Sequence, residues 1–162
     1  MKDLKTVKIS SISTGFLEVP GQIALNLYVQ GCSLHCKDCH NPELQPFSGG
    51  TDISTTEILG IIKNKELASW ICWLGGEPTE QPEGFKAFNK IFKKEGYGIC
   101  LYTGKKFSEL GNLLDNVDLV IDGPWEGTKV TESASNQKAY YNKENWHQVD
   151  FNKIKEILNN EL

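Results

Sequence analysis

Three cysteines, Cys32, Cys36 and Cys39, fall within eight residues at a C-x3-C-x2-C spacing. Thiolates this close in sequence can converge on one soft metal centre. Their number matters as much as their spacing. A structural zinc site takes four closed ligands, an ordinary iron–sulfur cubane takes four cysteines, and no fourth cysteine lies nearby. One metal position is left for something other than protein. Cys72 and Cys100 lie in apolar, strand-like runs and read as small buried hydrophobes, not as ligands of a second centre.

A second stretch with chemical potential is Gly75-Gly76-Glu77-Pro78, which breaks off the apolar run Ser69–Leu74. Elsewhere such residues would mark only a turn. At the end of a buried strand, paired glycines let a ligand approach the backbone closely. Thr103-Gly104 and Asp122-Gly123-Pro124 stand in the same relation to the runs Tyr97–Tyr102 and Val117–Asp122.

The elements that must position these residues follow from periodicity. Ile23, Leu25, Leu27 and Val29 alternate strictly, so Gln22–Gln30 reads as a strand delivering the chain to the cysteine loop 31–44. Val7, Ile9 and Ile12 suggest a short edge strand. Prolines and glycines keep the chain irregular from Pro42 to about Asp52. Ser54 and Glu57 form a capping box ahead of a helix with Ile58, Ile61 and Ile62 on one face. Ser69–Leu74 reads as a strand buried on both faces. A helix follows from Pro82 to about Glu95, carrying Phe85, Phe88, Ile91 and Phe92 and ending before Gly96. A short helix is expected over Ser108–Leu114, and 125–145 shows no clear period. Trp146–Val149 suggests a last strand, and Asp150 a cap for a closing helix with Ile154, Ile157 and Leu158 inward.

Buried strands alternating with amphipathic helices imply βαβ units and right-handed crossovers. Four or five units are too few to close an eight-stranded barrel. The expected fold is a single α/β domain over residues 1–162, an open partial (β/α) barrel with a mostly parallel sheet. In such folds chemistry gathers at the carboxyl ends of the strands. The cysteine loop, Gly75–Pro78, Tyr102–Gly104 and Asp122–Pro124 all fall there, on one rim.

At 162 residues the chain is long enough for one real core. Its 39% hydrophobic and 23% charged content is that of a soluble globular protein. A net charge of −4 offers no basic footprint for nucleic acid. No apolar run approaches membrane-spanning length, and Met1-Lys-Asp-Leu-Lys-Thr6 lacks a secretory core, so a cytoplasmic location is expected. Five cysteines in that compartment read as ligands or buried thiols rather than disulfides.

The cysteine spacing, the context Cys39-His-Asn-Pro-Glu-Leu44 and the Gly-Gly-Glu-Pro turn together resemble the radical S-adenosylmethionine superfamily. The resemblance implies a [4Fe–4S] cluster with three irons on Cys32, Cys36 and Cys39 and the fourth on S-adenosylmethionine. It further implies that the Gly75, Gly76, Glu77 and Pro78 turn binds the methionine moiety, with Glu77 either an acceptor for its ammonium or a plain turn residue, and that Thr103, with Gly104, lies near the ribose. Asp122 either lies near the cofactor carboxylate, sometimes through a monovalent cation, or caps its own turn. His40 either packs on the adenine or hydrogen-bonds the loop backbone. Many family members carry an aromatic residue just before the third cysteine, against the adenine; here that position is Asp38.

Within the superfamily, the chain resembles the small activating proteins of anaerobic, class III ribonucleoside-triphosphate reductase, which also often lack that aromatic. Glu132-Ser-Ala-Ser-Asn-Gln-Lys138 and Ile121-Asp-Gly-Pro124 are similar to stretches of that family. The implied enzyme is a radical oxidoreductase. It cleaves S-adenosylmethionine reductively to methionine and a 5′-deoxyadenosyl radical, which takes a hydrogen from a glycine of the partner glycyl-radical enzyme. A flavodoxin or ferredoxin is the implied electron donor. No general acid or base is required. Two alternatives remain open: a radical enzyme of the 7-carboxy-7-deazaguanine synthase kind acting on a small molecule, and a non-catalytic iron–sulfur or zinc protein. Trp125, Tyr140 and Tyr141 belong either to the core or to a docking surface.

Overall fold

A computed structural model describes residues 5–160 except Lys37 and Glu66. Eight strands form one open sheet, in the order β3-β1-β2-β4-β5-β6-β7-β8. They are β1 (Thr6–Gly15), β2 (Ala24–Val29), β3 (Thr51–Ser54), β4 (Trp70–Gly75), β5 (Gly98–Tyr102), β6 (Leu119–Asp122), β7 (Lys138–Lys143) and β8 (Asn145–Val149). Three α-helices accompany them: α1 (Thr55–Lys63), α2 (Pro82–Lys94) and α3 (Ile154–Asn159).

The centre, β2-β4-β5-β6, is parallel, as buried runs joined by crossovers demand. Val29 pairs with Gly75 and Tyr102 with Ile121, so the carboxyl ends of all four central strands lie along one edge. Antiparallel strands flank both sides of this centre. That mixed character departs from the expected run of βαβ units. Three parallel crossovers exist, and only those through α1 and α2 are built on α-helices.

Other boundaries differ for identifiable reasons. β1 is ten residues long and lies between β3 and β2, not at an edge. Its polar half was hard to read because pairing on both sides, more than side-chain burial, holds it. The expected helix over Ser108–Leu114 is two 3-10 turns, Phe107–Glu109 and Gly111–Leu114, interrupted at Gly111 with φ +52°. β3 and β7 arise in stretches that carry no clear apolar alternation. The closing helix is shorter than expected: Asp150 accepts from the Asn152 N–H and caps a 3-10 turn, and α3 begins only at Ile154. The Ser54 cap is as expected, its hydroxyl accepting from the Glu57 N–H at 3.1 Å.

Each sheet face carries its own core. On one, Leu25, Leu27, Ile71, Trp73, Ile99 and Leu101 meet Ile58 and Ile62 of α1 and the three phenylalanines of α2. Trp73 sits against Phe85, Phe88 and Phe92, and its indole N–H donates to Asn89 Oδ1 at 2.7 Å. On the other face Ala24, Cys72, Cys100, Leu119 and Ile121 are covered by Ile154 and Leu158 of α3. Cys72 and Cys100 are directly paired across β4 and β5 and wholly buried, as their apolar surroundings suggested. Burial pushes the Cys72 thiol well above its ordinary range. Tyr140 stacks on Phe107 at 4.1 Å and Tyr141 packs on the second core, which places both with the core. Among the described residues, no helix is long and apolar enough to cross a membrane.

Candidate metal centre and cofactor rim

The cysteine loop begins where β2 runs out. Gly31 turns the chain with φ +110°, and its N–H donates to the Leu44 carbonyl at 2.7 Å. The Cys32 N–H donates to Gln45 at 2.9 Å, so the loop's two ends are laced together. Gln30 secures the returning segment, its amide donating to the carbonyls of Glu43 and Pro46. Within the loop, His35 (φ +49°) and Asp38 (φ +56°) adopt left-handed backbone. Each immediately precedes a cysteine, so each turns the chain just before Cys36 or Cys39. His and Asp are among the few non-glycine residues that enter this region readily.

All three loop cysteines are partly exposed free thiols. Burial pushes the Cys32 thiol up and the nearby Glu77 and Glu80 carboxylates add to this, while N–H groups of Leu34 and His35 pull it down. Such N–H donors at the sulfur suit a metal-bound thiolate. Among the described residues, no three His, Cys, Asp or Glu side chains are gathered tightly enough to hold a single ion. The donor set itself is soft sulfur, the chemistry of an iron–sulfur cluster.

The Gly-Gly-Glu-Pro turn lies directly against this loop. The Gly76 N–H donates to the Val29 carbonyl at 2.9 Å, and the Glu77 N–H to that of Gly31 at 2.9 Å. Gly75 has φ +99°, and a Cβ on Gly76 would collide with the Gly31 carbonyl. Both glycines are therefore required for the two motifs to meet. A 3-10 turn, Pro78–Glu80, follows.

Glu77 is 1% exposed, and its carboxylate is engaged. It accepts from the Thr79 N–H (3.2 Å) and hydroxyl (2.6 Å), the Thr103 hydroxyl (2.9 Å) and the Gly104 N–H (2.7 Å). It thus fastens the segment after β5 to the turn after β4. Thr103 is buried, and its hydroxyl also accepts from the Lys105 N–H. Asp122 is likewise buried and committed, accepting from the N–H groups of Phe107 (2.7 Å) and Lys138 (3.1 Å). That bonding joins three segments and is broader than a cap on the Gly123-Pro124 turn. The Ser135-Asn136-Gln137 stretch latches the same turn. Asn136 donates to the Pro124 carbonyl and Gln137 to that of Gly123, leaving the buried Asn136 Oδ1 without a partner.

Between the cysteine loop and the segments after β5 and β6 lies a cleft of about 610 Å³. Leu34, Cys36, Asp38, Gly104, Lys105 and Trp125 are among its walls. His40 makes a ring contact with Trp125, centroids 4.1 Å apart. Residue types had not pointed to Glu80, Gln81 or Gln30. Gln81 accepts from the Lys8 N–H at 2.7 Å and donates to the Gln30 carbonyl. The signal available in the sequence was position: Glu80 and Gln81 come just after the glycine turn, and Gln30 just before Gly31.

The chain is similar to several known proteins. A family model described as a 4Fe-4S single cluster domain matches residues 19–146. The pyruvate formate-lyase-activating enzyme of Clostridium pasteurianum is 31% identical over 121 residues, 70% of this chain and 50% of that enzyme. The 7-carboxy-7-deazaguanine synthase of Thermoplasma acidophilum is 32% identical over 77 residues, 48% of this chain and 35% of that protein. The crystal structure of QueE from Escherichia coli shares the fold, with TM-score 0.53 and 16% identity over 61% of this chain and 53% of that one. The chain spans about half the length of the activating enzymes it matches.

Proposed function

The chain belongs to the 4Fe-4S single cluster domain family, within the radical S-adenosylmethionine superfamily, and on that premise we propose that it is a glycyl-radical enzyme activase. The observation that carries this reading is the direct hydrogen bonding of the cysteine loop to the Gly-Gly-Glu-Pro turn at one strand-end rim. The cofactors are a [4Fe–4S] cluster and S-adenosylmethionine. Bound at this rim, and given one electron from a reductant, they would supply hydrogen-abstracting radical chemistry for a glycine of the partner.

The chain's own residues hold and shield. Cys32, Cys36 and Cys39 would hold the cluster, and the Gly75–Pro78 backbone would receive the methionine moiety. Glu77, Thr103 and Asp122 act through the segments their hydrogen bonds hold in place. His40 and Trp125 wall the approach to the adenosyl group. Closing this rim around a radical excludes water and side reactions.

The partner is an anaerobic ribonucleoside-triphosphate reductase, and the electron donor a cytoplasmic flavodoxin or ferredoxin. Support comes from the late Ser-Asn-Gln stretch, which binds back onto Gly123 and Pro124 beside the cleft. A second reading, a small-molecule radical enzyme, draws on the likeness to 7-carboxy-7-deazaguanine synthase.

One experiment separates them. The cluster-loaded, reduced chain with S-adenosylmethionine is mixed anaerobically with the reductase and frozen for electron paramagnetic resonance. A glycyl doublet on the reductase is expected. Turnover of a purine-like substrate without partner, and no doublet, would replace the activase with the second reading.

A further inference from the structure

Glu80 lies at the rim but belongs to neither motif. It ends the 3-10 turn after the Gly-Gly-Glu-Pro stretch, and one of its oxygens, Oε1, accepts twice from the same residue. The donors are the Ser33 N–H at 3.1 Å and the Ser33 hydroxyl at 2.6 Å. Ser33 directly follows Cys32. The backbone ladder that laces the cysteine loop to its returning segment includes Gly31 and Cys32, bonded to Leu44 and Gln45. Glu80 grips the chain at the next residue, where it heads towards Cys36.

The residue on which this grip depends is itself fixed. The Glu80 N–H donates to the Glu77 carbonyl at 3.1 Å, and Glu77 is buried with its carboxylate on Thr79, Thr103 and Gly104. The next residue, Gln81, is bonded to Lys8 and Gln30. Within five residues the turn thus holds the cysteine loop, the segment after β5, Lys8 within β1 and Gln30 just beyond β2. Charge-assisted bonds to one carboxylate oxygen fix both direction and distance better than neutral ones.

We propose that Glu80 is a positioning residue for the cluster: by holding Ser33 it sets the Cys32 thiolate against the cofactor-binding turn. This rests on the reading of Cys32 as an iron ligand. Glu80 touches no reacting atom. It acts on the cluster through Ser33, as outer partners of metal ligands do.

The test uses the full chain, reconstituted anaerobically with iron and sulfide, as wild type, Glu80→Gln, Glu80→Ala, Ser33→Ala and Cys32→Ala. Iron loss to an excess chelator is followed by absorbance, and folding by the melting of each metal-free protein. Glu80→Ala should lose iron about tenfold faster than wild type, as expected for losing charge-assisted hydrogen bonds beside a ligand. Glu80→Gln keeps an acceptor oxygen in place and should restore retention to within about threefold of wild type. Ser33→Ala should fall between them, and it tests the proposal even where Glu80→Ala does not fold. Wild-type retention in Glu80→Ala and Ser33→Ala, or no rescue in Glu80→Gln, overturns the proposal. Unimpaired cluster loading in Cys32→Ala would instead overturn the ligand reading on which it rests.

Discussion

At the scale of single residues, the cysteine loop works because its chemistry and its backbone demands are met by neighbouring positions. His35 and Asp38 supply the left-handed turns that precede Cys36 and Cys39. Asp38 suits its turn because aspartate enters the left-handed region more readily than most side chains. Asp38→Gly should therefore keep cluster loading near wild type. Asp38→Val, β-branched and strained at φ +56°, should reduce the iron bound per chain severalfold. Equal iron content in the two variants would show that the turn does not govern the thiol. The meeting of the cysteine loop and the glycine turn at one rim was legible in the sequence because both follow directly on buried strands. The partners of Glu77 and Asp122 were not. Both carboxylates bond groups far along the chain, Thr103 and Gly104 for one, Phe107 and Lys138 for the other. A sequence records a carboxylate at a strand end but not which N–H groups the fold will bring to it.

At the scale of elements, the site stands on β4 and α2. The strand end that bears Gly75 is pinned through Trp73, whose ring is surrounded by Phe85, Phe88 and Phe92 of the helix. Phe88→Ala should destabilise the fold by about 3–5 kcal/mol in denaturant titration, since the side chain is fully buried in close packing. A cost under about 1 kcal/mol would mean that α2 does not anchor the strand. α2 and the central strands were readable because their apolar patterns are long and strong. β3 and β7 were not, because Thr51–Ser54 and Lys138–Lys143 bury few side chains and are held mainly by pairing with β1, and with β6 and β8. The same holds for the polar half of β1. Strands defined by their neighbours leave little trace in their own composition.

At the scale of the whole molecule, four parallel strands present the cysteine loop and three further segments along one edge, and antiparallel strands widen the sheet on both sides. Nothing in this layout asks for a general acid or base at the rim. In the proposed reading its groups bind, orient and enclose. The central claim is accordingly a claim about a cluster and a cofactor held together, and it has a direct measurement. The anaerobically reconstituted chain is reduced with dithionite, S-adenosylmethionine is added, and the electron paramagnetic resonance spectrum is recorded alongside 5′-deoxyadenosine formation. The account predicts a reduced [4Fe–4S] signal that changes on adding the cofactor, with 5′-deoxyadenosine released. Both should disappear in Cys32→Ala, Cys36→Ala and Cys39→Ala and persist in Cys72→Ala and Cys100→Ala. A cluster signal indifferent to S-adenosylmethionine, with no 5′-deoxyadenosine, would contradict it.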